Sequence, residues 1–202
     1  MVWGSDRKGR HGLFLVDAAS GRLTTLTAGE DVREPIFSHD GKQLYYAHNT
    51  TRRFVVRDMR TGVDKELLPG GRHRNRFMLS PDGSQFAMMV LHPESKSLAI
   101  ALMPARGGEP REIASFPDAA AMDWLPDGKH LLMRRVGKSG AELWKIAVDG
   151  GNAERIDTGG AMAEFGNIRV SPDGRSIAFI AGRTTSEIWE MENFLPMLST
   201  RR

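Results

Sequence analysis

Aspartate and histidine are the residues of this chain best suited to acid-base or metal chemistry. Four Asp-Gly pairs begin at Asp40, Asp82, Asp127 and Asp173, and six histidines stand at 11, 39, 48, 73, 92 and 130. Carboxylates converging on one point could hold calcium or transfer protons, and histidines at helical spacing could hold zinc. Neither pattern is present. The aspartates lie 42, 45 and 46 residues apart, each inside its own copy of a repeated segment, so they are expected to cap separate turns. No two histidines stand four apart with a glutamate between them. There is no Gly-x-Ser-x-Gly elbow for a nucleophile and no glycine-rich loop ending in Lys-Ser or Lys-Thr for phosphate. With zero cysteines, thiolate sites and disulfides are excluded. We therefore expect no catalytic residue, no metal and no cofactor.

The aspartates do reveal the elements that carry them. Residues 35–45, 77–87, 122–132 and 168–178 align without gaps. Each reads as an apolar strand, a tight turn and a second apolar strand. Asp caps the turn and Gly accepts the positive φ that follows, at Gly41, Gly83, Gly128 and Gly174. A second hairpin follows each of the first three, turning at Thr61-Gly62, Gly107-Gly108 and Asp149-Gly150-Gly151, and a matching one at Ser20-Gly21 precedes the first. Four strands, A to D, in roughly 40–45 residues is the period of a β-propeller blade. The spacing predicts an all-β fold, a propeller of four-stranded antiparallel blades over residues 1–202, with 192–202 as a tail. Trp124, Trp144 and Trp189 fall on strand positions and are expected in the core.

Four A, five B, five C and four D strands make about four and a half blades. The expected ring is incomplete, with open blade edges through which the chain could self-associate.

The recurring Ser-Pro-Asp-Gly-Lys/Arg core, with an apolar residue three positions before the Asp, resembles the TolB-like, WD-repeat-like β-propeller repeat of bacteria, and the resemblance covers essentially the whole chain. His39 replaces Pro in the first copy and Leu125 replaces Ser in the third. The resemblance implies the C-terminal portion of a longer bacterial propeller, a protein-binding scaffold or sensor, and a periplasmic or otherwise extracytoplasmic setting. The end, residues 187–196, resembles propellers that follow kinase-like or DNA-binding modules. An alternative implied by the same resemblance is the gating propeller of a prolyl-oligopeptidase-type serine peptidase whose catalytic domain is absent here.

Charge narrows the partner. Residues 1–76 hold 14 basic against 9 acidic side chains, leaving 14 and 16 for the rest. That is too dilute for a nucleic-acid stripe. The longest apolar runs fall well short of the roughly 20 residues of a spanning helix, so no membrane insertion is expected, and Met1–Arg7 lacks the pattern of a secretory signal. In a propeller the loops entering strand A and joining B to C share one face. On that face the sequence predicts Arg72, His73, Arg74 and Arg76 in one loop, Arg52 and Arg53 in another, and further basic residues at 7–10 and 134–138. Arginine forks bind carboxylates, so the expected partner is a protein or acidic peptide. Asp123 and Arg169 share a repeat position in neighbouring A strands and are expected to pair.

Overall fold

A computed structural model describes residues 2–7, 10–71, 73–92, 94–116, 118–137, 140–158 and 165–181, with side chains from residue 12 onward except at 73–75, 165–167 and 180–181. Among these residues there are strands and no helix. The first sheet holds β1 (Val2–Arg7), β2 (Arg10–Val16) and β3 (Leu23–Thr25). The second holds β4 (Val32–Phe37), β5 (Gln43–His48), β6 (Phe54–Asp58) and β7 (Asp64–Leu68). The third runs β8 (His73–Leu79), β9 (Gln85–His92), β10 (Ser97–Pro104) and β11 (Arg111–Ser115). The fourth runs β12 (Ala119–Trp124), β13 (His130–Gly137), β14 (Gly140–Ala147) and β15 (Glu154–Ile156), and the fifth pairs β16 (Phe165–Val170) with β17 (Ile177–Ala181). Among the described residues every pairing is antiparallel between sequence neighbours and none joins the last sheet to the first, so the described strands form propeller blades without a closed ring. The fifth C strand expected at 187–191, Trp189 and the tail lie outside the described residues.

The turns show why Asp-Gly recurs. In each A–B turn the Gly N–H bonds back to the carbonyl three residues earlier, from Gly41 to Ser38, Gly83 to Ser80, Gly128 to Leu125 and Gly174 to Ser171. The four glycines sit at φ between 64° and 73°, a conformation that a Cβ disfavours. The Asp carboxylate accepts the backbone N–H two residues on, at 3.1, 3.0, 2.9 and 3.0 Å. In three copies the preceding serine hydroxyl donates to the same carboxylate while its oxygen accepts the N–H that opens strand B. Leu125 forgoes that link, and His130 Nδ1 lies 2.6 Å from Asp127 instead.

Blades pack face to face, and the alternation of strand side chains sends successive residues into opposite seams. Tyr46 and Val55 join Leu13, Val32 and Leu44 between the first and second sheets. Their neighbours Tyr45, Phe54 and Val56 join Phe77, Phe86 and Met103 between the second and third, where Phe54 stacks on Phe77 at 3.7 Å. Met89, Ile100 and Leu102 meet Met122, Trp124 and Leu131 in the next seam, and Ala121, Leu132 and Leu143 meet Ile168 in the last. Buried on both faces, B and C strands read as continuous apolar runs such as Phe86–Val90, while the D strands β3, β7, β11 and β15 are largely exposed. Trp124 is buried as expected, and Trp144 only half so.

Each seam also carries a polar tie from a side chain to the neighbouring blade's backbone. Arg57 Nη1 donates to the Leu26 carbonyl at 2.6 Å while its fork grips Asp64. The Phe77 N–H donates to Glu34. Trp124 Nε1 donates to the Met78 carbonyl at 2.8 Å, and Asp123 Oδ2 accepts the Val170 N–H at 2.9 Å.

A candidate ligand cavity on the propeller axis

Where an A strand meets its B strand, the register slips. The slip falls between Arg33 and Ile36, His73 and Phe77, Ala119 and Ala121, and Phe165 and Ile168. These are β-bulges at equivalent places in four blades. A bulge frees a residue from the ladder and re-aims its side chain. In the first copy the freed residue is Glu34, whose φ of 54° lies in the left-handed region, costly for a residue with a Cβ and more so before Pro35.

The four A strands converge on a cavity of about 500 Å³. Its lining mixes apolar side chains, Ile36, Phe77, Met78, Met122 and Ile168 among them, with the charged Glu34, Arg76, Asp123 and Arg169 and with His39 at the turn end. Read blade by blade, the charges alternate: acid on β4, base on β8, acid on β12, base on β16. Glu34 and Arg76 occupy one repeat position, Asp123 and Arg169 another two residues further on.

The two acids are held differently. Asp123 is committed on both oxygens, accepting its neighbour Trp124 N–H at 3.0 Å with one and Val170 N–H with the other. Arg169 lies 3.9 Å from it, as the pair expected from sequence, but too far for a hydrogen bond, and the Arg169 side chain is 68% exposed. Glu34 is open to solvent within the cavity yet surrounded by protein atoms on most sides. Burial pushes its carboxyl above the ordinary glutamate value, against the pull of Arg76, the Phe77 N–H, Arg169 and Arg33. Arg134 on β13 stands near enough to Arg76 that burial and this like charge together lower its pKa.

The arginines expected on one loop face separate. Arg76 is in strand β8 and on the cavity wall, so the stretch read as a loop to Arg76 is strand from His73 onward. The basic pair 134–135 likewise belongs to strand β13. Arg72 lies outside the described residues, as do the side chains of His73 and Arg74. Arg52 sits exposed in the β5–β6 turn at φ 58°. Arg53, next to it, is paired with Glu66 of β7 in its own blade. Glu34 was missed, although the alignment that places Arg76 puts it in the same row. Among the described residues no three His, Asp or Glu side chains gather as metal ligands, and the four turn aspartates stay in separate turns.

An uncharacterized protein of Agrobacterium fabrum is 31% identical over 118 residues, which is 58% of this chain and 39% of that protein. No protein-family model matches the chain. TolB from Acinetobacter baumannii superposes with a TM-score of 0.74 at 18% identity, over 92% of this chain and 47% of that one. An oligogalacturonate lyase in complex with manganese gives 0.74 at 17% identity, over 89% and 55%. The chain thus spans well under two thirds of the length of each. Blade architecture and these superpositions together show a TolB-like β-propeller fold.

Proposed function

We propose that this chain is a non-catalytic propeller scaffold whose axial cavity binds an acidic segment of a partner protein or peptide. The observation that carries the reading is the placement of two guanidiniums, Arg76 and Arg169, on the lining of one cavity. A guanidinium takes a carboxylate through two parallel hydrogen bonds. Arg169, with its long contact to Asp123, keeps donors to offer.

The test is fluorescence anisotropy with a rhodamine-labelled hexaglutamate, titrated with this chain at low and at physiological salt. Binding should weaken as salt rises, and Arg76→Ala and Arg169→Ala should each weaken it about ten-fold, the scale of one charge-assisted hydrogen bond. No binding, or binding indifferent to both substitutions, would refute the reading.

A further inference from the structure

Glu34 is an odd occupant for a cavity that takes anions. It stands at the repeat position of Arg76 on the adjacent blade, and its bulge holds it in a left-handed conformation that ordinary strand residues avoid. Strain of this kind persists where surrounding structure over-determines it, and it concentrates at binding sites. The seam tie to Phe77 needs only an acceptor, which a neutral glutamine would also supply. A full negative charge therefore exceeds what the fold asks of this position. The charged groups around it are Arg33 on its own strand, Arg76 on β8 and Arg169 on β16, with Asp123 on β12 lining the same cavity and Arg134 on β13 beside Arg76.

Resting on the reading above, we propose that Glu34 sets the charge specificity of the axial cavity: its carboxylate is a built-in counter-anion for Arg76 and Arg169, which an incoming acidic side chain must outcompete. Glu34 makes the empty cavity close to neutral, since it and Asp123 balance the two lining arginines. The site then rejects weak or singly charged anions and admits a segment only when several carboxylates arrive together. It would also tolerate a basic segment better than two bare arginines would. The device is negative selection, in which repulsion against the wrong ligand does as much as attraction to the right one.

The experiment compares the wild-type chain, Glu34→Gln and Arg76→Ala for binding of rhodamine-labelled hexaglutamate, and of the matching hexalysine, by anisotropy at neutral pH and low salt. Glu34→Gln should bind hexaglutamate about five-fold more tightly, a partly screened unit charge at close range, and should lose whatever affinity the wild type has for hexalysine. Glu34→Gly, which suits the positive φ, should shift the ratio the same way, and thermal melts establish that both variants fold. If the two Glu34 variants leave the ratio of the peptides unchanged while Arg76→Ala still weakens hexaglutamate binding, the cavity binds acids but Glu34 does not select them. If neither wild type nor variants bind hexaglutamate, the acidic-ligand reading fails and this inference with it.

Discussion

Replacing Trp124 by phenylalanine tests whether the blades are joined by specific ties or only by apolar contact. The indole is 5% exposed in the seam between the third and fourth sheets, and its N–H reaches the Met78 carbonyl at 2.8 Å. Phenylalanine removes the donor and leaves that carbonyl without this bond, at a cost of about 1–3 kcal/mol. The smaller ring also gives up roughly 40 Å² of buried apolar surface, about 1 kcal/mol more. The sum, about 2–4 kcal/mol, is a large share of the roughly 5–15 kcal/mol by which a domain is stable. Urea unfolding followed by far-UV circular dichroism reads it as a lower midpoint. Trp144→Phe is the internal control. Its N–H bonds Glu142 within the same strand, at 3.0 Å and half-buried, so its loss should cost under about 1 kcal/mol. A Trp124→Phe penalty no larger than that of Trp144→Phe would show that the seam bond contributes nothing and that apolar packing alone sets the blade spacing.

Arg57→Ala should cost about 1–3 kcal/mol in the same assay, because it strips both Asp64 and the Leu26 carbonyl of their donor, and Arg57→Lys should rescue it only in part, lacking the fork. Gly70→Ala should destabilise by about 1–3 kcal/mol, since a Cβ there runs into the Thr51 carbonyl oxygen, whereas Gly71→Ala, with space around it, should not. In acid, the Ser80 hydroxyl holds the Asp82 carboxyl down to about 2 from an ordinary 3.8. Because the folded-state value is the lower one, the stability it contributes is complete above the unfolded-state value and is lost as pH falls through about 2. Ser80→Ala should return the Asp82 carboxyl toward the ordinary range in a carbon-13 titration, and unchanged titration would remove the serine as cause.

Much of the blade architecture was legible because its signals are local and repeat in phase. Asp-Gly at 40, 82, 127 and 173 marks a turn whose bonds run over only a few residues, and the apolar runs on either side have one reading once the period is known. The charged stretch Arg74-Asn75-Arg76 reads as a loop because it lacks apolar alternation. It is carried as a bulge of β8 between His73 and Phe77, which do pair with β9, and such sheet context commonly overrides local preference. The Asp123–Arg169 neighbourhood followed from sharing a repeat position, but its length of 3.9 Å did not. Glu34 was invisible for a different reason. Its placement depends on a bulge, and a bulge reports how two strands must bend together, which no single residue announces. The same holds for the Trp124 partner, a backbone carbonyl one blade away.

The repeated bulge separates two demands that a strand normally has to satisfy at once. Outside the slip, strands A and B interlock and the residues are answerable to the core. Within it, glutamate and arginine stand at the same position of neighbouring A strands while each sheet keeps its register beyond the bulge. The axis is thus lined, on β4 and β8, by positions that the ladder does not hold in register. A designer could rewrite the lining one blade at a time, to all-basic, all-acidic or apolar, and screen ligands against an unaltered frame.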